Sequence, residues 1–75
     1  MSVADTLLKA WKGGPYVPRT AIRIFSAGLL SPKTMANFDS RGEGPPRIRS
    51  GRRVYYLATD LALWIEEYVL RDKAV

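Results

Sequence analysis

The stretch that decides the fold is Ser31–Leu57, SPKTMANFDSRGEGPPRIRSGRRVYYL. Its first residues carry a helix start signal. Ser31 can cap a helix through its hydroxyl, and Pro32 fits the first helical position, where its missing N–H costs nothing. A helix is therefore predicted over 31–41, and the glycines that follow end it there.

The two faces of this helix differ in chemistry. Met35 and Phe38 lie three residues apart, so both can point inward from one face. A second face is polar and basic, and its members are Lys33, Thr34, Asn37 and Arg41. A helix of this kind packs one face on a core and leaves the other for solvent or a partner.

A basic β-hairpin is predicted next, over 46–57. A Pro-Pro pair forces the chain into an extended conformation as it leaves the helix. Ser50–Arg52 is a tight turn, because the glycine at its centre tolerates a positive φ. Strand alternation then predicts Ile48, Val54 and Tyr56 on the inner face, with arginines between them pointing outward.

Three further helices are predicted, over 3–12, 18–27 and 59–71. The apolar face of the second consists of Ala21, Ile22, Ile24 and Phe25. Leu29 and Leu30 form the turn after it and are predicted to be buried beneath the 31–41 helix. The last helix has a core-facing stripe at 3.6-residue spacing, made of Leu61, Trp64, Ile65 and Tyr68.

Some apolar residues remain after the core is assigned. Leu63 and Leu70 lie off the stripe of the last helix, which suggests a self-association surface. The first helix has an apolar stripe that includes Leu7 and Trp11. This stripe either packs on its own domain or docks on another subunit, and the sequence leaves both interpretations open.

The length and composition exclude several classes of protein. Seventy-five residues allow one domain with a small core and leave no room for a deep enzyme cleft. The chain has no His and no Cys, so the commonest general base and the usual zinc ligands are missing. We therefore expect no enzyme activity, no metal or other cofactor and no small-molecule substrate. No apolar run approaches the ~20 residues of a membrane span, and a reducing cytoplasm is the simplest setting.

The positive charge is concentrated in one half of the chain. The net charge is +5 overall, but residues 19–53 contain eight basic residues and two acids, a net charge of +6. The remainder of the chain carries −1. Clustering of this kind is typical of a protein that binds nucleic acid.

Three segments in order, SPKTMANF, RGEGPPRIRSGRRVYY and ATDLALWI, resemble the small excisionases and AlpA-like regulators of phages and integrative elements. That family belongs to the MerR-like winged-helix group, and the resemblance covers residues 16–69. Two positions depart from the family pattern. Phe38 stands where a Trp is common, and Asp39 stands where a basic residue is usual.

The resemblance implies a mainly α fold with a small β-hairpin wing, a winged helix-turn-helix. In such a protein the 31–41 helix enters the major groove of DNA and the wing lies over the adjacent minor groove. The candidate DNA contacts are Arg19, Arg23, Ser31, Lys33, Thr34, Asn37, Ser40, Arg41, Arg47, Arg49, Arg52 and Arg53.

The implied function is that of an excisionase, a recombination directionality factor. Such a protein binds and bends attachment-site DNA in the bacterial cytoplasm, at the nucleoid, and steers a tyrosine integrase towards excision. Because one module of this size covers little DNA, we also expect self-association on DNA, in an open head-to-tail array. Two alternatives remain: an AlpA-like transcription regulator with a promoter as its target, and a protein-interaction module whose basic face meets an acidic partner.

Overall fold

A three-stranded antiparallel sheet lies at the middle of the fold, in a computed structural model that describes the backbone of residues 2–74 and the side chains up to residue 69. The strands are β1 (Tyr16–Pro18), β2 (Ile48–Ser50) and β3 (Arg53–Leu57). β3 is the central strand and pairs with both of the others. The hairpin between β2 and β3 closes through two residues, and Gly51 there has φ 62°.

The helices surround one face of this sheet. They are α1 (Val3–Ala10), α2 (Ile22–Phe25), α3 (Pro32–Ser40) and α4 (Ala58–Ala74), and a 3₁₀ turn (Arg19–Ala21) leads into α2. The chain is thus mostly helical with a small antiparallel sheet, an arrangement compatible with a helix-turn-helix followed by a wing. None of the helices in the described part of the chain has the length and apolar character needed to cross a membrane.

Side-chain caps set the start of two helices. The Ser2 hydroxyl accepts a hydrogen bond from the Asp5 backbone N–H at 3.1 Å. The Ser31 hydroxyl accepts one from the Thr34 N–H at 3.2 Å, with Pro32 in the first turn as the sequence predicts. Each bond satisfies an N–H that the helix itself leaves unpaired.

The core joins the inner face of the sheet to all four helices. Val17 and Tyr56 point inward from β1 and β3, and the residues packed with them include Ile22, Met35, Leu61 and Ile65, all fully buried. The predicted stripe of α4 faces this core. Phe38 of α3 packs edge-on against Trp64 and Tyr68, with ring centroids 5.0 and 5.7 Å apart.

The segment before α3 differs from the prediction of a helix over 18–27. Tyr16–Pro18 is an edge strand, in which Pro18 pairs with Tyr55. Proline is tolerated at the edge of a sheet. The helix that follows ends at Phe25. Ala27 then has φ 55° and Gly28 φ 87°, so left-handed backbone breaks the helix.

Three apolar residues predicted to be inside are exposed, and those assignments were wrong. Ile24 is 77% exposed, Leu29 53% and Ile48 49%. For Ile48 the reason is register: it pairs with Tyr55, which lies on the opposite face of β3 from Val54 and Tyr56. A shift of one residue in a strand moves a side chain to the other face.

Adjacent leucines in the turn provide a matched test of this core. Leu30 is 2% exposed, so Leu30→Ala should lower the free energy of unfolding by about 2–5 kcal/mol through lost burial and a residual cavity. Leu29→Ala should change it by no more than about 0.5 kcal/mol. Urea unfolding of both variants measures this difference. Equal losses would contradict the described turn.

Candidate nucleic-acid interface

The outward face of α3 is polar and basic. Lys33, Asn37 and Ser40 are exposed at i, i+4 and i+7 spacing, which places them on one side of the helix. Arg41 follows at the C-terminal end and is also exposed. The opposite side carries Met35, which is fully buried. α3 therefore presents a continuous polar surface to solvent.

Three hydroxyls predicted to contact DNA are engaged within the helix. The Ser31 hydroxyl caps α3 and lies 2.9 Å from the Thr34 hydroxyl. The Ser40 hydroxyl donates to the Asn37 carbonyl oxygen at 2.8 Å. These groups shape and terminate the helix. The side chains of Lys33 and Asn37 have no hydrogen bond within the described part of the chain, so they are the members of the face free to meet a base edge.

The guanidinium of Arg41 contacts two other side chains of the protein. It lies over the Phe38 ring at 5.0 Å, and its Nε is 3.3 Å from the Glu43 carboxylate. Both side chains of this ion pair are more than half exposed. Exposed pairs of this type contribute about 0–1 kcal/mol, so a phosphate can compete with Glu43 for Arg41 at little cost.

The wing presents a second basic surface. Arg49, Arg52 and Arg53 are exposed on the β2–β3 hairpin, and Arg23 is exposed on α2. None of these four makes an ion pair with any described residue. Their guanidinium groups are therefore available for an anionic partner.

Arg19 behaves differently from the other arginines. Its Nη2 donates to Asp39 Oδ2 at 2.6 Å, and its Nε donates to the Tyr56 hydroxyl at 3.1 Å. The Tyr56 hydroxyl in turn donates to the same Asp39 oxygen at 2.6 Å. Arg19 was predicted as a DNA contact, but the structure places two of its donor nitrogens in an internal cluster. We call Arg19, Asp39 and Tyr56 the Asp39 cluster.

Burial and pairing shift the proton affinities in the Asp39 cluster. Burial raises the pKa of Tyr56 to about 12, and its hydrogen bond to Asp39 acts in the same direction while Arg19 opposes it. Burial alone would lower the pKa of Arg19. Its bonds to Tyr56 and Asp39 outweigh that effect and raise the pKa, so the guanidinium stays charged.

The second oxygen of Asp39 lies close to Arg47, the residue that precedes β2. Asp39 Oδ1 is buried without a hydrogen-bond partner among the described residues, and Arg47 Nη1 lies 3.8 Å from it. Gly44 lies against the same oxygen, where a Cβ would collide with the carboxylate. Arg47, the residue that leads into β2, is therefore held partly by Asp39 and remains 42% exposed.

One signal in the sequence points to the buried position of Asp39. Met35 and Asp39 are spaced i, i+4, so a helix that buries Met35 also turns Asp39 inward. In the sequence alone, Asp39 stands out only because it departs from the pattern of the proteins that the chain resembles. Its partners on the 3₁₀ turn and β3 are far away in sequence and leave no local pattern.

A basic cleft joins the two surfaces. A recess of about 350 Å³ is bordered by the start of α3, the 3₁₀ turn and the wing, and its lining residues are Pro18, Arg19, Thr20, Pro32, Arg52, Arg53 and Val54. The N-terminus of the candidate reading helix and the tip of the wing thus border one cavity. Two residues remote in sequence, Pro32 and Arg52, are brought together there.

The four predicted self-association residues lie in different surroundings. Leu7 is 8% exposed and belongs to the core that α1 forms with α4, which agrees with the first of the two interpretations left open for this stripe. Trp11 is partly buried and packs edge-on against Phe25 at 5.4 Å. Leu63 is 54% exposed on α4, and Leu70 lies outside the described side chains.

No family model, characterised protein or solved structure matches the chain. Within the described part of the chain, no group of three acidic residues could hold a metal ion.

The Tyr56 phenol should make stability depend on alkaline pH. The folded state favours the neutral phenol, so as pH rises past 10 the unfolded chain loses its phenolic proton first. The stabilisation is complete below pH 10 and is lost towards pH 12, a change of about 2–3 kcal/mol. Urea unfolding at pH 9 and near pH 12 measures it.

Tyr56→Phe is the matched control, since it removes only the hydroxyl. The stability gap between wild type and Tyr56→Phe should narrow over that pH range. A gap that stays constant would show that the phenol titrates normally and is not held in the Asp39 cluster.

Proposed function

We propose that the protein is a winged helix-turn-helix that binds duplex DNA, with α3 in the major groove and the β2–β3 hairpin over the neighbouring minor groove. The observation that carries this proposal is the shared cleft. It puts the start of α3 and the arginines of the wing along one surface. A DNA backbone running between the two grooves would pass across that cleft.

The contacts divide into two chemical classes. Asn37 is exposed in the middle of α3, and an amide can bond adenine bidentately in the major groove. Lys33 and Arg41 flank it for phosphates or guanine. Arg52 and Arg53 in the wing offer charge without a fixed acceptor, which suits phosphates or a narrowed minor groove.

The biological role proposed is that of an excisionase, which bends attachment-site DNA and works with a tyrosine integrase. The support is the ordered resemblance of residues 16–69, together with a small size that agrees with a protein that shapes DNA and leaves the chemistry to an integrase. An AlpA-like promoter regulator would use the same surface. Footprinting on DNA of the source element separates the two: tandem sites beside an integrase core favour the excisionase, and a single promoter site favours the regulator.

Several copies are expected to act together on DNA, since a single module buries only about 600–1,000 Å². Leu63 is exposed on the described part of α4 and is available for that contact. In a head-to-tail array the contact would be heterologous and would extend along the duplex.

The proposed binding mode requires strong salt dependence. The exposed arginines and lysine of α3, α2 and the wing can neutralise about four to six phosphates, so the slope of log affinity against log salt should be about −4 to −5. Fluorescence anisotropy with a short duplex between low and physiological salt measures this slope. A flat response would rule out the proposed function, including the variant in which the basic face meets DNA non-specifically.

Substitutions on α3 and in the wing should have different effects on DNA binding. Asn37→Ala should cost about 1–3 kcal/mol on the specific site and relax base preference. Arg52→Ala should weaken all duplexes alike and reduce the salt slope by roughly one. Competition binding with specific and scrambled duplexes compares the two. Equal loss of sequence preference in both variants would overturn the division of roles.

A further inference from the structure

The outer face of the sheet is apolar and aromatic: two of its residues are exposed, and two others, Tyr55 and Leu57, are partly buried. Strand alternation puts Tyr55 and Leu57 of β3 on this face, opposite the buried Val54 and Tyr56. The register adds Tyr16, which pairs with Leu57, and Ile48, which pairs with Tyr55. Tyr16 is 46% exposed and Ile48 49%.

These side chains enclose a shallow recess. It has a volume of about 460 Å³ and is lined by Tyr16, Ile48, Ser50 and Tyr55. Tyr16 and Tyr55 are diagonal neighbours across β1 and β3, a separation of about 7–8 Å between their backbone positions. A flat ring can lie in the recess against both phenols. The Ser50 hydroxyl supplies a polar group at its edge.

The electrostatic surroundings select the kind of ligand. Residues 6–38 and 44–59, which contain all three strands, include no Asp or Glu. Arg53 continues the outer face of β3 beyond Tyr55, and it pairs with Ser50 in the hairpin. The lining of the recess contains no acid and Arg53 lies beside it, so the recess suits a ligand with flat rings and negative charges.

We propose that this outer face, which we call the tyrosine face, binds unpaired bases of single-stranded nucleic acid. Bases stack on Tyr16 and Tyr55, and the arginines of the hairpin pair with the phosphates. Single strands are held in this way by aromatic side chains interleaved with basic ones, and stacking tolerates any base. A paired base in a duplex offers no free π-face, so the tyrosine face is distinct from the α3 surface proposed for duplex DNA.

The tyrosine face uses residues outside the proposed duplex contacts, apart from the hairpin arginines. Asn37 and Lys33 project from α3, whereas Tyr16 and Tyr55 lie on the sheet. The proposal therefore stands or falls separately from the proposed function. Taken together with the proposed function, it implies that the protein can bind an opened strand beside a bound duplex.

The test is anisotropy with two labelled ligands of eight units, oligo(dT) and the abasic phosphodiester of the same length. The wild type should bind oligo(dT) at least about fivefold more tightly, because only oligo(dT) can stack. Tyr16→Ala and Tyr55→Ala should each lose about fivefold or more on oligo(dT) and little on the abasic strand. Tyr16→Phe and Tyr55→Phe, which keep the ring, should retain binding.

Matched controls separate stacking from other causes. Ile24→Ala, at an exposed apolar residue on α2, should leave oligo(dT) binding unchanged. Asn37→Ala should weaken specific duplex binding and spare oligo(dT). Amide NMR spectra verify that each variant is folded. Equal affinity of the wild type for oligo(dT) and the abasic strand would overturn the proposal, as would folded Tyr→Ala variants that bind oligo(dT) like wild type.

Discussion

A single buried carboxylate governs the geometry of this small protein. Asp39 accepts hydrogen bonds from Arg19 and Tyr56, and so it ties α3 to the 3₁₀ turn and to the central strand of the sheet. Burying a carboxylate costs several kcal/mol unless its charge and hydrogen bonds are matched, so α3 can sit on the sheet only where both partners reach it. Apolar packing of Met35 and Phe38 stabilises α3 on the core, and the hydrogen bonds of Asp39 fix its position relative to the sheet.

The same carboxylate organises the charge of the molecule. A chain with so many arginines in one half must hold like charges close together, which costs free energy through repulsion. Asp39 offsets part of this repulsion, because its carboxylate pairs with Arg19 and lies 3.8 Å from Arg47. The arginines of the wing tip and the lysine of α3 then point outward. The buried acid thus fixes Arg19 and holds Arg47 while the other arginines of the hairpin stay exposed.

Features of the fold that depend on residues close together in sequence could be predicted, and those that depend on pairing between distant segments could not. The Ser31 cap, the buried Met35 and the stripe of α4 follow from spacing within a few residues, and the structure contains them. The short strand β1 was missed because its only evidence is its partner β3, about forty positions away. Ile48 was assigned to the wrong face for the same reason, since strand register depends on the pairing. Among the candidate site residues, Lys33 and Asn37 lie as predicted on the exposed face of α3. Arg19 instead pairs with Asp39, a contact between segments that only the tertiary fold brings together.

The central claim is that α3 and the wing, held together by the Asp39 cluster, form one surface for duplex DNA. Amide NMR during titration with a duplex tests it most directly, because every backbone N–H reports its own surroundings. We predict shifts concentrated on Lys33–Arg41, the β2–β3 hairpin and Thr20, with the exposed side of α4 around Leu63 unaffected on a short duplex that carries a single site. Shifts confined to α4 and α1, with α3 and the hairpin unchanged, would contradict it.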